Sequence, residues 1–66
     1  MGNRQETMFS SFFRKVFIVG YNDGLAGVRE FATLIDALAE AEGASALYAN
    51  VTVRERTSGE LISMFD

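Results

Sequence analysis

Three groups of residues in this 66-residue chain have side chains suited to chemistry or recognition. The first is acidic: Asp36 and Glu40 stand at i, i+4, with Glu42 two positions on. Two carboxylates held in a cleft can divide acid and base roles in proton transfer. On a helix, however, that spacing gathers them on one face, and the apolar residues around them place that face toward solvent. The chain contains no histidine and no cysteine. Ser10, Ser11, Ser45, Ser58 and Ser63 therefore lack the usual base that activates a hydroxyl, and zinc-type sites lack their usual ligands. The expectation is a protein that is not an enzyme and that uses no cofactor and no metal.

The second group is Gly20-Tyr-Asn-Asp-Gly24-Leu-Ala-Gly27, which follows an apolar run as a phosphate loop would. It has neither the Gly-x-Gly-x-x-Gly spacing nor a closing Gly-Lys-Ser/Thr, and a nucleotide fold needs a longer chain. It reads as a hairpin turn. The third group is the most informative. Tyr48, Asn50, Thr52, Arg54 and Arg56 alternate with apolar residues, and Ile62 and Met64 join them if the following segment pairs back. Tyrosine, arginine and methionine are enriched in interfaces, so these seven residues are the candidate partner-binding face, with Arg14, Lys15 and Arg29 as its extension. Aromatic and cationic residues on a sheet also suit nucleic acid, and an ordinary solvated face is the plain alternative. Asp36, Glu40 and Glu42 form a candidate acidic contact face, which Glu55, Glu60 and Asp66 lengthen into a stripe; a solvated surface is the plainer account of it.

These residues need elements to hold them. Thr33 is a good N-cap, Asp36 stands three residues on as in a capping box, and Gly43 is placed to end the helix in a left-handed conformation. Leu34, Ile35, Leu38 and Ala41 share its apolar face. Residues 12–21 are aromatic and β-branched and read as a strand. Phe13, Phe17, Val19 and Tyr21 are on one of its faces and Phe12, Val16 and Ile18 on the other. Asn22-Asp23-Gly24 is a turn signal. After it, either residues 25–31 return as a second strand or residues 24–42 form one long helix; Gly27 and the second cap at Thr33 favour the hairpin. Residues 47–56 alternate as a strand. Thr57-Ser58-Gly59 turns with Gly59 left-handed, and residues 61–65 form the last strand. Pairing Arg56 with Glu60 puts Val51, Val53, Leu61 and Phe65 on the core face, and Thr52, Arg54, Ile62 and Met64 on the other. The fold class is α+β: a small antiparallel sheet with one helix packed on one face, ββαββ, or βαββ with the long helix.

Length and composition allow one domain, residues 12–66, behind a flexible tail, residues 1–11. Its 48% apolar content is globular. A core this thin supplies only about 3–5 kcal/mol, so a partner or a second copy is the natural support. The net charge is −3. Residues 1–29 hold four basic and two acidic groups, and residues 30–66 hold two basic and seven acidic groups. That balance makes nucleic acid a poor generic partner. No apolar run approaches the roughly 20 residues of a membrane span. Arg14-Lys15 interrupts the apolar stretch at residues 9–13, so no secretory signal is read and the expected location is cytoplasmic.

The pattern Phe31-x-Thr33-Leu34-x-Asp36-Ala37-Leu38, followed by Val51-x-Val53 and Thr57-Ser58-Gly59-Glu60-Leu61-Ile62, resembles a recurrent style of small bacterial and phage proteins. In size, acidity and lack of cysteine the chain is similar to phage- and mobile-element-encoded inhibitors of the anti-CRISPR and anti-restriction type. The resemblance implies a small binding protein that occludes a site on a larger host protein; it carries over no functional residue. Two other readings stand beside it. One is a dimeric nucleic-acid-binding regulator or antitoxin-like protein using Arg14, Lys15, Arg54 and Arg56. The other is a structural component that self-assembles through its apolar first strand.

Overall fold

Four positive φ angles decide between the hairpin and the long helix. Asn22 (54°), Asp23 (58°), Gly24 (87°) and Gly27 (108°) all lie in left-handed backbone, which no right-handed helix accommodates. The computed structural model describes residues 15–66. Strands β1 (Phe17–Gly20) and β2 (Val28–Phe31), helix α1 (Leu34–Ala44), and strands β3 (Val51–Glu55) and β4 (Leu61–Phe65) follow in that order. Among the described residues the fold is thus ββαββ, an antiparallel four-stranded sheet with one helix against it. The expectations for residues 1–11 and for Phe12, Phe13 and Arg14 fall outside the described residues.

The strand order is β2-β1-β3-β4, so β1 and β3 are central. The turn after β1 is longer than three residues. The amides of Gly24 and Ala26 both reach the Tyr21 carbonyl at 3.0 Å, and Tyr21 takes the Gly27 carbonyl at 3.0 Å. The turn therefore absorbs Leu25, and β2 begins at Val28 rather than at residue 25. Phe17 pairs with Phe31 and Val19 with Arg29 across β1 and β2.

Thr33 caps α1 as its sequence implies: extended backbone, with Oγ1 accepting the Asp36 amide at 3.2 Å. The other end differs. The helix runs through Gly43 to Ala44, and the C-cap is Ser45 in right-handed backbone. The Ser45 hydroxyl donates to the Glu42 carbonyl at 2.6 Å, and the Leu47 and Tyr48 amides close on the Ala44 carbonyl at 2.8 and 2.9 Å. With those carbonyls satisfied, no left-handed glycine is required. The buried stripe of α1 is Ala37, Ala41 and Ala44, flanked by Leu34 and Leu38. Ile35, expected on that stripe, is exposed, because the i, i+3, i+4, i+7 series runs through Leu34, Ala37, Leu38 and Ala41 and leaves it outside. The three alanines face Val19, Val51 and Val53, all fully buried.

At β3 and β4 the register shifts between Val53 and Arg54. Val51 opposes Phe65 and Thr52 opposes Met64, as expected, but Arg54 opposes Leu61. The bulge turns Leu61 to the exposed side and brings Ile62 against the core. The expected placement of these two residues is reversed. Its cause is the turn: the Glu55 amide takes the Glu60 carbonyl at 3.0 Å and the Gly59 amide takes the Glu55 carbonyl at 2.8 Å. Glu55, not Arg56, closes the hairpin. Gly59 is left-handed at 75°, as its position requires. No helix among the described residues is long and apolar enough to cross a membrane.

Candidate functional site

A cleft of about 510 Å³ opens where the β1–β2 turn, the start of β2 and the C-terminal half of α1 meet. Strand parity supplies its floor. Tyr21 continues the face of Phe17 and Val19, so its ring is buried beneath the helix. Arg29 opposes Val19 and shares that face. Glu40 descends from α1 to meet both. The Tyr21 hydroxyl donates to Glu40 Oε2 at 2.6 Å, and Arg29 Nη1 lies 3.6 Å from the same oxygen. The Arg29 guanidinium sits 5.5 Å from the centroid of the Phe31 ring. Tyr48 leans on Tyr21, with ring centroids 5.2 Å apart and planes at 49°, a tilted aromatic pair. The rim is apolar and open to solvent: Leu47 is 82%, Val28 59% and Tyr48 41% exposed.

The floor is a donor and acceptor set, not an acid–base pair. Burial and, after it, the adjacent Glu40 carboxylate together push the Tyr21 phenol up to about 12, with the nearby Arg29 opposing them. Tyr21 therefore stays protonated at neutral pH and acts as a hydrogen-bond donor that orients Glu40. The described residues contain no group of three or more side chains of metal-ligating type. What the arrangement does chemically is present an oriented carboxylate between aromatic and aliphatic walls.

The expected partner-binding face does not come together as a unit. Arg54, Thr52 and Met64 share the sheet face away from the helix. Thr52 is buried there, with its Oγ1 where a Cβ on Gly20 would approach to 3.1 Å. Arg54 donates to the Gly59 carbonyl at 3.1 Å. Arg56 lies past the end of β3, 3.4 Å from Glu30. Ile62 is rotated to the core side by the bulge. Tyr48 and Asn50 are not in the strand at all. They belong to the connection after α1, where Asn50 is left-handed at 51° and its carbonyl accepts the Asp23 amide at 2.9 Å. That connection carries Tyr48 to the cleft.

The acidic face is divided in the same way. Asp36 and Glu42 are exposed, but Glu40, expected toward solvent, turns into the cleft with its side chain 30% exposed. Glu55, expected in the solvated stripe, is buried. Its two oxygens accept the Thr57 and Ser58 amides at 2.9 Å each, and these bonds hold its carboxyl down at about 2. Arg29, expected to extend the outer face, is on the helix side; Lys15 is exposed. The sequence did not single out Tyr21 as a site residue, and it assigned Arg29 to the opposite face of the sheet. The signal was available only in combination: the parity of Tyr21 with Val19, and the hairpin length that sets Arg29 opposite Val19. No protein-family model, no curated protein and no solved structure matches the chain.

Proposed function

We propose that the chain is a non-enzymatic binding protein that docks on a larger protein and occludes a site there, in the manner of phage-encoded inhibitors of bacterial defence acting in the host cytoplasm. The observation that carries this reading is the clustering of Val28, Leu47 and Tyr48, all exposed, around one cleft with a polar floor. An aromatic and aliphatic rim around a few placed polar groups is the make-up of an interface centre. The surplus of carboxylates in residues 30–66 favours a partner with a basic surface, since complementary potentials steer association. Occlusion needs only steric contact, which suits a domain of this size.

The test is a tagged pull-down from bacterial lysate, with and without nuclease, comparing the native chain with the Leu47→Glu/Tyr48→Ala variant. Both positions are exposed, so circular dichroism should show the variant folded. The expected result is one stoichiometric protein partner that survives nuclease and is lost by the variant. A partner kept by the folded variant would overturn the cleft as the contact. Recovery that collapses with nuclease would point to nucleic acid instead, and recovery of the chain alone would point to self-association.

A further inference from the structure

We infer that the cleft receives an arginine side chain from the partner protein. This rests on the docking reading above and names the chemistry of the occupant.

The electrostatics of the helix end come first. A helix C-terminus carries a negative pole, and lysine or arginine in the last turn normally answers it. The last turn of α1 has no basic residue, and Glu40 and Glu42 add two carboxylates at the same end. The nearest cation, Arg29, compensates only in part. It approaches a single oxygen, Glu40 Oε2, at 3.6 Å, well beyond the roughly 2.7–2.9 Å of a charge-assisted hydrogen bond. Its side chain is 64% exposed. Glu40 Oε1 has no hydrogen-bond donor among the described residues, whereas Oε2 is fixed by the Tyr21 hydroxyl at 2.6 Å. One oxygen is thus held and the other presented, which is the pre-organisation a bound cation exploits.

The walls then choose the kind of cation. The exposed Tyr48 ring offers a face to a planar guanidinium. Leu47 and Val28 stand where an aliphatic stem would lie, so a long amphipathic side chain buries its methylenes while its head reaches Glu40. An acidic side chain would meet both Glu40 and the helix pole. A purely apolar side chain would cover Glu40 Oε1 without giving it a donor, and leaving a carboxylate oxygen desolvated and unpaired is costly.

The experiment titrates the isotope-labelled full chain with the capped peptide Ala-Ala-Arg-Ala-Ala and with its norleucine counterpart, following the amide signals of Tyr21, Glu40, Leu47 and Tyr48. The arginine peptide should give saturable shifts, with norleucine about tenfold weaker. Glu40→Gln retains an acceptor for the Tyr21 hydroxyl, so the fold should persist. It should lower the arginine affinity and so remove most of the arginine preference over norleucine. Equal affinity for the two peptides, or an arginine affinity indifferent to Glu40→Gln, would overturn the inference. Absence of any arginine preference in the native chain, while that chain still captures a partner through Leu47 and Tyr48, removes the occupant and keeps the docking reading. Arginine binding without any captured partner removes the docking reading and keeps the site.

Discussion

Removing one oxygen atom, by Tyr21→Phe, isolates the polar floor of the cleft. The hydroxyl donates to a carboxylate at 2.6 Å from a buried ring. A hydrogen bond to a charged group contributes about 1.5–3 kcal/mol to stability. The Glu40 side chain is 30% exposed, so water replaces part of the lost donor, and the loss should be about 1 kcal/mol. For 66 residues, at about 2.1 cal/mol/K of unfolding entropy per residue, that lowers the melting temperature by about 7 °C. The pH dependence gives a second reading of the same bond. The phenol is raised from an ordinary value of 10.0 to about 12 in the folded chain. A group raised on folding contributes its stabilisation fully below its unfolded value and loses it as pH rises through the folded value. Thermal melts followed by circular dichroism should show the gap between native chain and variant constant up to about pH 9, then closing from about pH 10 to 12. A variant melting within about 2 °C of the native chain at neutral pH, or a gap that persists unchanged at pH 12, would refute the reasoning.

Glu55 should govern the acid limb. Its carboxyl falls from an ordinary value of 4.5 to about 2 because it accepts the Thr57 and Ser58 amides, so its contribution is complete above about pH 4.5 and is lost as pH falls through about 2. Glu55→Gln should therefore destabilise the chain at neutral pH and flatten the acid limb in melts from pH 6 down to 2; an unchanged acid limb would refute the role. Val53 is fully buried, and Val53→Ala removes two methyl equivalents and leaves a void, about 2–3 kcal/mol in all. Against about 3–5 kcal/mol of total stability, the urea midpoint should drop by about 40% or more, and a loss below about 1 kcal/mol would show that the core is not centred there.

What could be read from the sequence was what a few adjacent residues decide. Thr33 and Asp36 make a cap between them, Asn22-Asp23-Gly24 and Gly59 accept positive φ where others resist it, and the alternation of Val51 with Val53 needs only a pleat. The misplacements arise where particular hydrogen bonds, which the period of the apolar residues does not encode, decide the path of the backbone. The alternation of Leu47, Ala49, Val51 and Val53 has the right period for one continuous strand, yet the Leu47 and Tyr48 amides are taken by Ala44 and the backbone reverses hand at Asn50. Nothing in the local pattern distinguishes a strand from a connection that shares its period. The bulge that exchanges Leu61 and Ile62 goes with a turn closed by the Glu55 backbone, whose side chain also accepts two amides of that turn, and polarity alone assigned that glutamate to solvent. The cleft was less visible still, because Tyr21, Arg29, Glu40 and Tyr48 come from four separate segments.

The two connections that frame the cleft are tied to each other. The Asp23 amide in the β1–β2 turn donates to the Asn50 carbonyl in the connection after the helix, and both residues are left-handed. That bond joins the two connections, and the Tyr21–Tyr48 ring contact is a second link between the same segments. The sheet face away from the helix has the opposite character. Its arginines are engaged within the chain, Arg54 on Gly59 and Arg56 on Glu30, and Thr52 is buried, so recruiting them to a partner would first break contacts that the fold already makes. The cleft asks for less: its rim is exposed, Glu40 Oε2 is held by a tyrosine that stays in place, and the Arg29 guanidinium beside it stands off at 3.6 Å. On that difference in cost, a partner should engage the end of the fold where the connections meet and not the sheet face that carries more of the interface-prone residue types.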